Sequence, residues 1–172
     1  MSEREFEKLV RDFARAAEEN AVNWEEMKKW WLLEAHNLFD LIEQWLGPLI
    51  QSQAVKATRP KVYLTESELG RYPIESLRLT LAGRDLTFAP EGTMLVGAFG
   101  RIEANGPRGN AALLLLNTDD SLPPAKRREQ VAWFIAHPAA ALGQPRRTPP
   151  DLRPLTEQSF QQLFADLFGI TR

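Results

Sequence analysis

Apolar residues recur at helical spacing through the first fifty positions and in alternation through the middle of the chain. Phe6, Leu9, Val10, Phe13 and Ala17 fall on one side of a helix, while Glu7, Lys8, Arg11, Arg15 and Glu18 fall on the other. Ser2 and Glu5 have capping-box spacing at its start. The pattern predicts an amphipathic helix ending near Glu19. A short turn follows, and Asn23 with Glu26 offers a second capping box, so an antiparallel helical hairpin is expected over residues 1–54.

The second helix carries more apolar surface than one neighbour can cover. Trp24, Trp31, Leu38 and Trp45 repeat every seven residues, with Met27, Ala35, Ile42 and Leu49 beside them. Its apolar positions fill roughly 200° of the helix surface, about twice what a surface helix needs. The first helix spans ~25 Å and the second ~35 Å, so the distal half of the second needs cover from the sheet or from another chain. Pro48 is expected to break or kink this helix, because it lacks an N–H and clashes with the preceding turn. Trp30, Leu41, Trp45 and Leu49 lie where the first helix cannot reach, and are the candidates for an interface.

From Lys61 onward the period changes. Leu77, Leu79 and Leu81 alternate with Arg78 and Thr80, and Leu86 and Phe88 resume the alternation after a turn at 82–85. A strand from Thr93 to about Ala104 contains Gly97 and Gly100, which in a strand interior signal a bulge, a bend or close backbone approach. Ala111–Leu116 reads as the most buried strand and Val131–His137 as another. Short turns between these runs predict an antiparallel meander of about four to six strands over residues 61–137. Residues 138–154 read as an irregular Pro/Arg-rich segment. The chain closes with a helix over 155–169, in which Thr156 is the N-cap, Phe160, Leu163, Phe164, Leu167 and Phe168 form one face, and Gly169 stops it. The fold class expected is a single α+β domain.

Composition narrows the function classes. At 172 residues and 44% hydrophobic content the chain can bury a core without staples. The absence of cysteine excludes disulfides, iron–sulfur ligation and thiol catalysis. The N-terminus has no apolar signal core, and the longest aliphatic run, Ala111–Leu116, is far short of a membrane span, so a cytoplasmic protein without membrane contact is expected. The net charge of −2 points to no polyionic partner, although residues 1–55 carry 6 basic and 11 acidic side chains and residues 56–172 carry 15 and 12.

Candidate chemistry is sparse. His36, Asp40 and Glu43 share one side of the second helix at a spacing able to hold a divalent metal, but no second His-rich element completes a shell, and a polar helix edge explains them. Asp119-Asp120 follows a buried strand, as in Mg²⁺-dependent phosphoryl transfer, but no phosphate cradle accompanies it, and Asn117–Asp120 reads as a turn. No metal and no cofactor are expected. Glu34 is the anomalous carboxylate: it lies inside the apolar arc between Trp30 and Leu38, where it must find a cation (Arg78 or Arg101 are the nearest expectations), take up a proton or face a cavity. Lys126, Arg127, Arg128, Arg146 and Arg147 could contact phosphates, with solvated loop charge as the plain alternative.

The sequence therefore does not fix a function. The leading expectation is a non-enzymatic protein–protein interaction module, a homodimer or a subunit of a cytoplasmic complex. A nucleic-acid-associated protein using the Lys/Arg-rich loops at 126–153 is the alternative. A small enzyme with a site of dispersed carboxylates such as Glu34, Glu75 or Asp119 is the third.

Overall fold

The computed structural model describes residues 1–19, 23–95, 97–137 and 151–171. Helices α1 (Glu3–Glu19), α2 (Trp24–Trp45) and α3 (Gly47–Gln51) precede nine strands: β1 (Val55–Thr58), β2 (Lys61–Glu66), β3 (Gly70–Glu75), β4 (Leu77–Leu81), β5 (Arg84–Gly92), β6 (Gly100–Gly106), β7 (Gly109–Asn117), β8 (Val131–Ala136) and β9 (Leu152–Pro154). A 3₁₀ turn (Pro124–Glu129) enters β8, and α4 (Glu157–Phe168) closes the chain. The α+β class holds.

Seven strands form one antiparallel sheet in the order β1-β4-β5-β6-β7-β8-β9, and β2 with β3 form a separate two-stranded ribbon. The sheet is longer than the expected four to six strands, and it is not a pure meander. β1 pairs with β4 across the intervening ribbon, Val55 opposite Leu81 and Ala57 opposite Leu79. The expected strand from Thr93 to Ala104 is also divided. β5 ends at Gly92, a tight Leu95–Ala98 bridge follows, and β6 begins at Gly100. Residues 138–150 of the Pro/Arg-rich segment lie outside the described residues, and 152–154 form β9 against β8.

Alternation sets the two sheet faces. Leu77, Leu79, Leu86, Phe88, Ile102, Ala104, Ala111, Leu113 and Ile135 are buried together with Met27, Trp31, Ala35, Leu38, Phe39 and Ile42 of α2 and with Phe160, Leu163 and Leu167 of α4. Gly100 is where α2 comes closest to the sheet: a Cβ there would stand 2.3 Å from Cζ3 of Trp31. Gly106 does the same for α4, since its Cβ would meet the Leu167 carbonyl oxygen at 2.6 Å. Thr156 caps α4 in a reciprocal box with Ser159, and Gly169 terminates it at φ 73°. Pro48 opens α3 after the chain turns at Leu46, so α2 ends at Trp45 as its proline requires.

The two expected N-terminal helices form, and the link between them, 20–22, lies outside the described residues. α1 is a helix with its capping box formed, the Ser2 N–H donating to Glu5 Oε2 at 2.7 Å and the Glu5 N–H to Ser2 Oγ at 3.3 Å. Yet every residue from Met1 to Glu18 is exposed. The buried side of α2 is filled by the sheet and α4, and among the described residues none packs over α1.

Candidate functional site

The strongest site candidate is the apolar face of α1, which no described residue covers. Phe6, Leu9, Val10 and Phe13 are 59%, 58%, 51% and 78% exposed. They stand at i, i+3, i+4 and i+7, the spacing of a helix that inserts into a groove. Together they leave roughly 400 Å² of apolar side chain in water, as large as the patches that mark contact sites on monomeric proteins.

The interface candidates on α2 have other partners. Trp45 packs on Phe160 with ring centroids 5.5 Å apart, so the distal half of α2 is covered by α4 and the sheet. Trp30 is half-buried and lies under the Arg128 guanidinium, 5.8 Å from its centroid. Leu41 and Leu49 are 38% and 43% exposed. Glu34 is half-buried. Its expected cation is not there: Arg78 is exposed, Arg101 pairs with Glu91, and burial alone pushes the Glu34 carboxyl above its ordinary range.

His36, Asp40 and Glu43 do share a face, and Glu75 of β3 joins them around a residue that sequence spacing did not single out. Arg59, in the link between β1 and β2, donates to Asp40 Oδ1 at 2.6 Å, to Glu75 Oε2 at 3.3 Å and to Glu43. His36 sets Nδ1 3.0 Å from Glu75 and Nε2 3.2 Å from Asp40. Arg59 holds Asp40 below the ordinary carboxylate range, and His36 with Arg59 does the same for Glu75. A guanidinium thus stands where a metal would have to sit. Among the described residues no group of three or more His, Asp or Glu side chains is placed to hold an ion. Beside this cluster is a shallow hollow of about 200 Å³ lined by Leu32, Ala35, His36, Lys61, Pro73 and Glu75.

The basic segment is less free than solvated loop charge would be. Arg128 is inserted between Trp30 and Phe99, with Met27 Sδ 3.6 Å from Nη2, and burial lowers its pKa. Arg127 donates to the carbonyls of Leu122 and Asp120 at 3.2 and 3.4 Å. Arg128 therefore fastens the 3₁₀ turn to the body, and Arg127 ties it to the loop before it. Lys126 is exposed, and Arg146 and Arg147 lie outside the described residues. A hollow of about 460 Å³ beside Arg127 is lined by Leu95, Gly97, Ala98, Phe99, Leu116, Asn117 and Asp120. Asn117 spends its amide on the Arg127 and Gln130 carbonyls, and Asp119 accepts from Ser121 N and Oγ. These are turn-forming bonds.

Two further carboxylates are half-buried in ways the sequence did not reveal. Glu66 accepts from the backbone N–H groups of Thr93 and Met94 at 2.9 and 3.0 Å and from the Tyr72 hydroxyl, tying the β2–β3 ribbon to the turn after β5. Burial and that carboxylate push the Tyr72 hydroxyl up. On the sheet face away from the helices, Arg101 Nε pairs with Glu91 at 2.5 Å. Burial and the neighbouring Glu103 push Glu91 up to about 7. No family model, curated protein or solved structure matches this chain.

Proposed function

We propose that this protein is a non-enzymatic protein-interaction module whose docking element is α1. The observation that carries the reading is the open face of Phe6, Leu9, Val10 and Phe13 on a capped helix. A helix of 17 residues without tertiary contacts is marginal in water. Apolar side chains at groove-binding spacing on such a helix gain most when a second surface covers them. The support thus moves from the distal half of α2, which is covered, to a helix expected to cover α2.

The size of the particle that carries the full chain in a native extract tests this. The reading expects a particle larger than the 19.5 kDa chain. It also expects a particle of monomer size for the Phe6→Ser/Phe13→Ser variant. A native chain that travels as a monomer, or a variant that travels with the native chain, would refute it.

A further inference from the structure

The charges of α1 are sorted into sectors. With Phe6 at 0° and 100° per residue, the apolar and small residues Ala16, Leu9, Phe13, Phe6, Ala17, Val10 and Ala14 fall between roughly 280° and 80°. Four acids border that face, Glu7 and Glu18 on one flank and Glu5 and Asp12 on the other, while Glu3 falls inside its edge between Val10 and Ala14. All four cations, Arg4, Lys8, Arg11 and Arg15, fall in a sector only about 60° wide on the back. The back cations reach the borders along the helix, Arg11 to Glu7 at 3.7 Å and Arg15 to Asp12 at 3.2 Å, and both pairs are exposed.

This order discriminates between occupants. A helix that lies on an anionic membrane sets Lys and Arg beside its apolar face, where their stems follow the lipid and their charges meet the headgroups. α1 sets carboxylates there, which such a surface repels. A second copy seated through its own α1 or α2 fares no better. Two α1 helices packed face to face bring acidic borders together, and the outward flank of α2 around Leu33 and Leu41 carries Glu26, Glu34 and Asn37.

We infer that α1 docks into an apolar groove rimmed by Lys and Arg on a different protein. The inference rests on the interaction reading above. The groove takes Phe6, Leu9, Val10 and Phe13, while its basic rim meets Glu5, Glu7 and Asp12. The rim charges set register and speed encounter, so association is expected to weaken with salt.

The test places a photoreactive side chain at Leu9 of the full chain in its own cells and sequences the crosslinked peptides. A link to another protein is expected, at an apolar site flanked by Lys or Arg. Its yield should fall about tenfold or more in the Glu5→Lys/Glu7→Lys/Asp12→Lys variant. It should persist in the Lys8→Gln/Arg11→Gln/Arg15→Gln variant, which breaks the same pairs within α1 but keeps the acidic borders. Circular dichroism checks that both variants keep α1 helical. A link to a second copy, a yield unmoved by the border reversal, or cosedimentation of the purified chain with phosphatidylglycerol vesicles would overturn the basic-groove inference alone. A link confined to the chain's own body would overturn the interaction reading with it.

Discussion

Gly100→Ala adds one methyl at the tightest contact between helix and sheet. Its Cβ would stand 2.3 Å from Trp31 Cζ3, with Cε3 and Cη2 at 3.0 and 3.1 Å. Trp31 is fully buried, and the Trp133 ring lies 6.3 Å from its own. The indole therefore has little room to retreat, and Gly100 is held by pairing with Leu115 of β7. Gly100 is not among the residues with positive φ, so alanine brings no backbone strain. It would gain about 0.5–1 kcal/mol by restricting the unfolded chain. Overpacking of this kind costs about 1–3 kcal/mol and occasionally more, so the expected net loss is about 2 kcal/mol. Urea unfolding followed by far-UV circular dichroism reads it as a lower midpoint at unchanged slope. Trp31→Phe in the same background vacates the space the methyl needs, and the two changes should couple favourably by about 1 kcal/mol. A Gly100→Ala variant within about 0.5 kcal/mol of the native chain, and additive with Trp31→Phe, would refute the contact as described.

Three further predictions concern charge. Glu91 has a folded pKa of about 7, above its ordinary 4.5, so the native chain loses stability as pH rises between those values. Glu91→Gln should match the native chain near pH 4.5 and exceed it above pH 7 by about 1–2 kcal/mol; equal destabilisation at both ends would contradict the assignment. Arg59 lowers Asp40 and Glu75, so its contribution is present above their ordinary values of 3.8 and 4.5 and lost as pH falls through the lowered ones. Arg59→Met should therefore cost about 1 kcal/mol at neutral pH and progressively less on acidification, and a gap independent of pH would count against the cluster. Glu34 is raised by burial alone, so Glu34→Gln should gain on the native chain as pH rises past 4.5, read by thermal unfolding across pH; a loss there would mean that the carboxylate has a partner.

The elements that local pattern governs were legible. The arc of α2 announced Trp31, Leu38 and Ile42 as core, and Thr156 and Gly169 marked the ends of α4. For Gly100 a bulge, a bend and a close approach were all open, and the structure shows the last, against Trp31. What was illegible is non-local. Arg59 lies 16 residues or more from the carboxylates it gathers, and nothing in spacing announces it. β9 has three residues and ends in proline, too little for alternation to register, and β1 meets β4 only because the β2–β3 ribbon folds aside. The exposure of α1 was illegible for another reason. Amphipathy states that a face needs cover but not which surface supplies it.

The central claim is that the apolar face of α1 is spare to the fold, and urea unfolding of Phe6→Ser/Phe13→Ser tests it most directly. An exposed pair should leave unfolding free energy within about 0.5 kcal/mol of the native chain. A core phenylalanine lost costs about 3–5 kcal/mol, so a loss of that size would place α1 against the protein's own body and contradict the account.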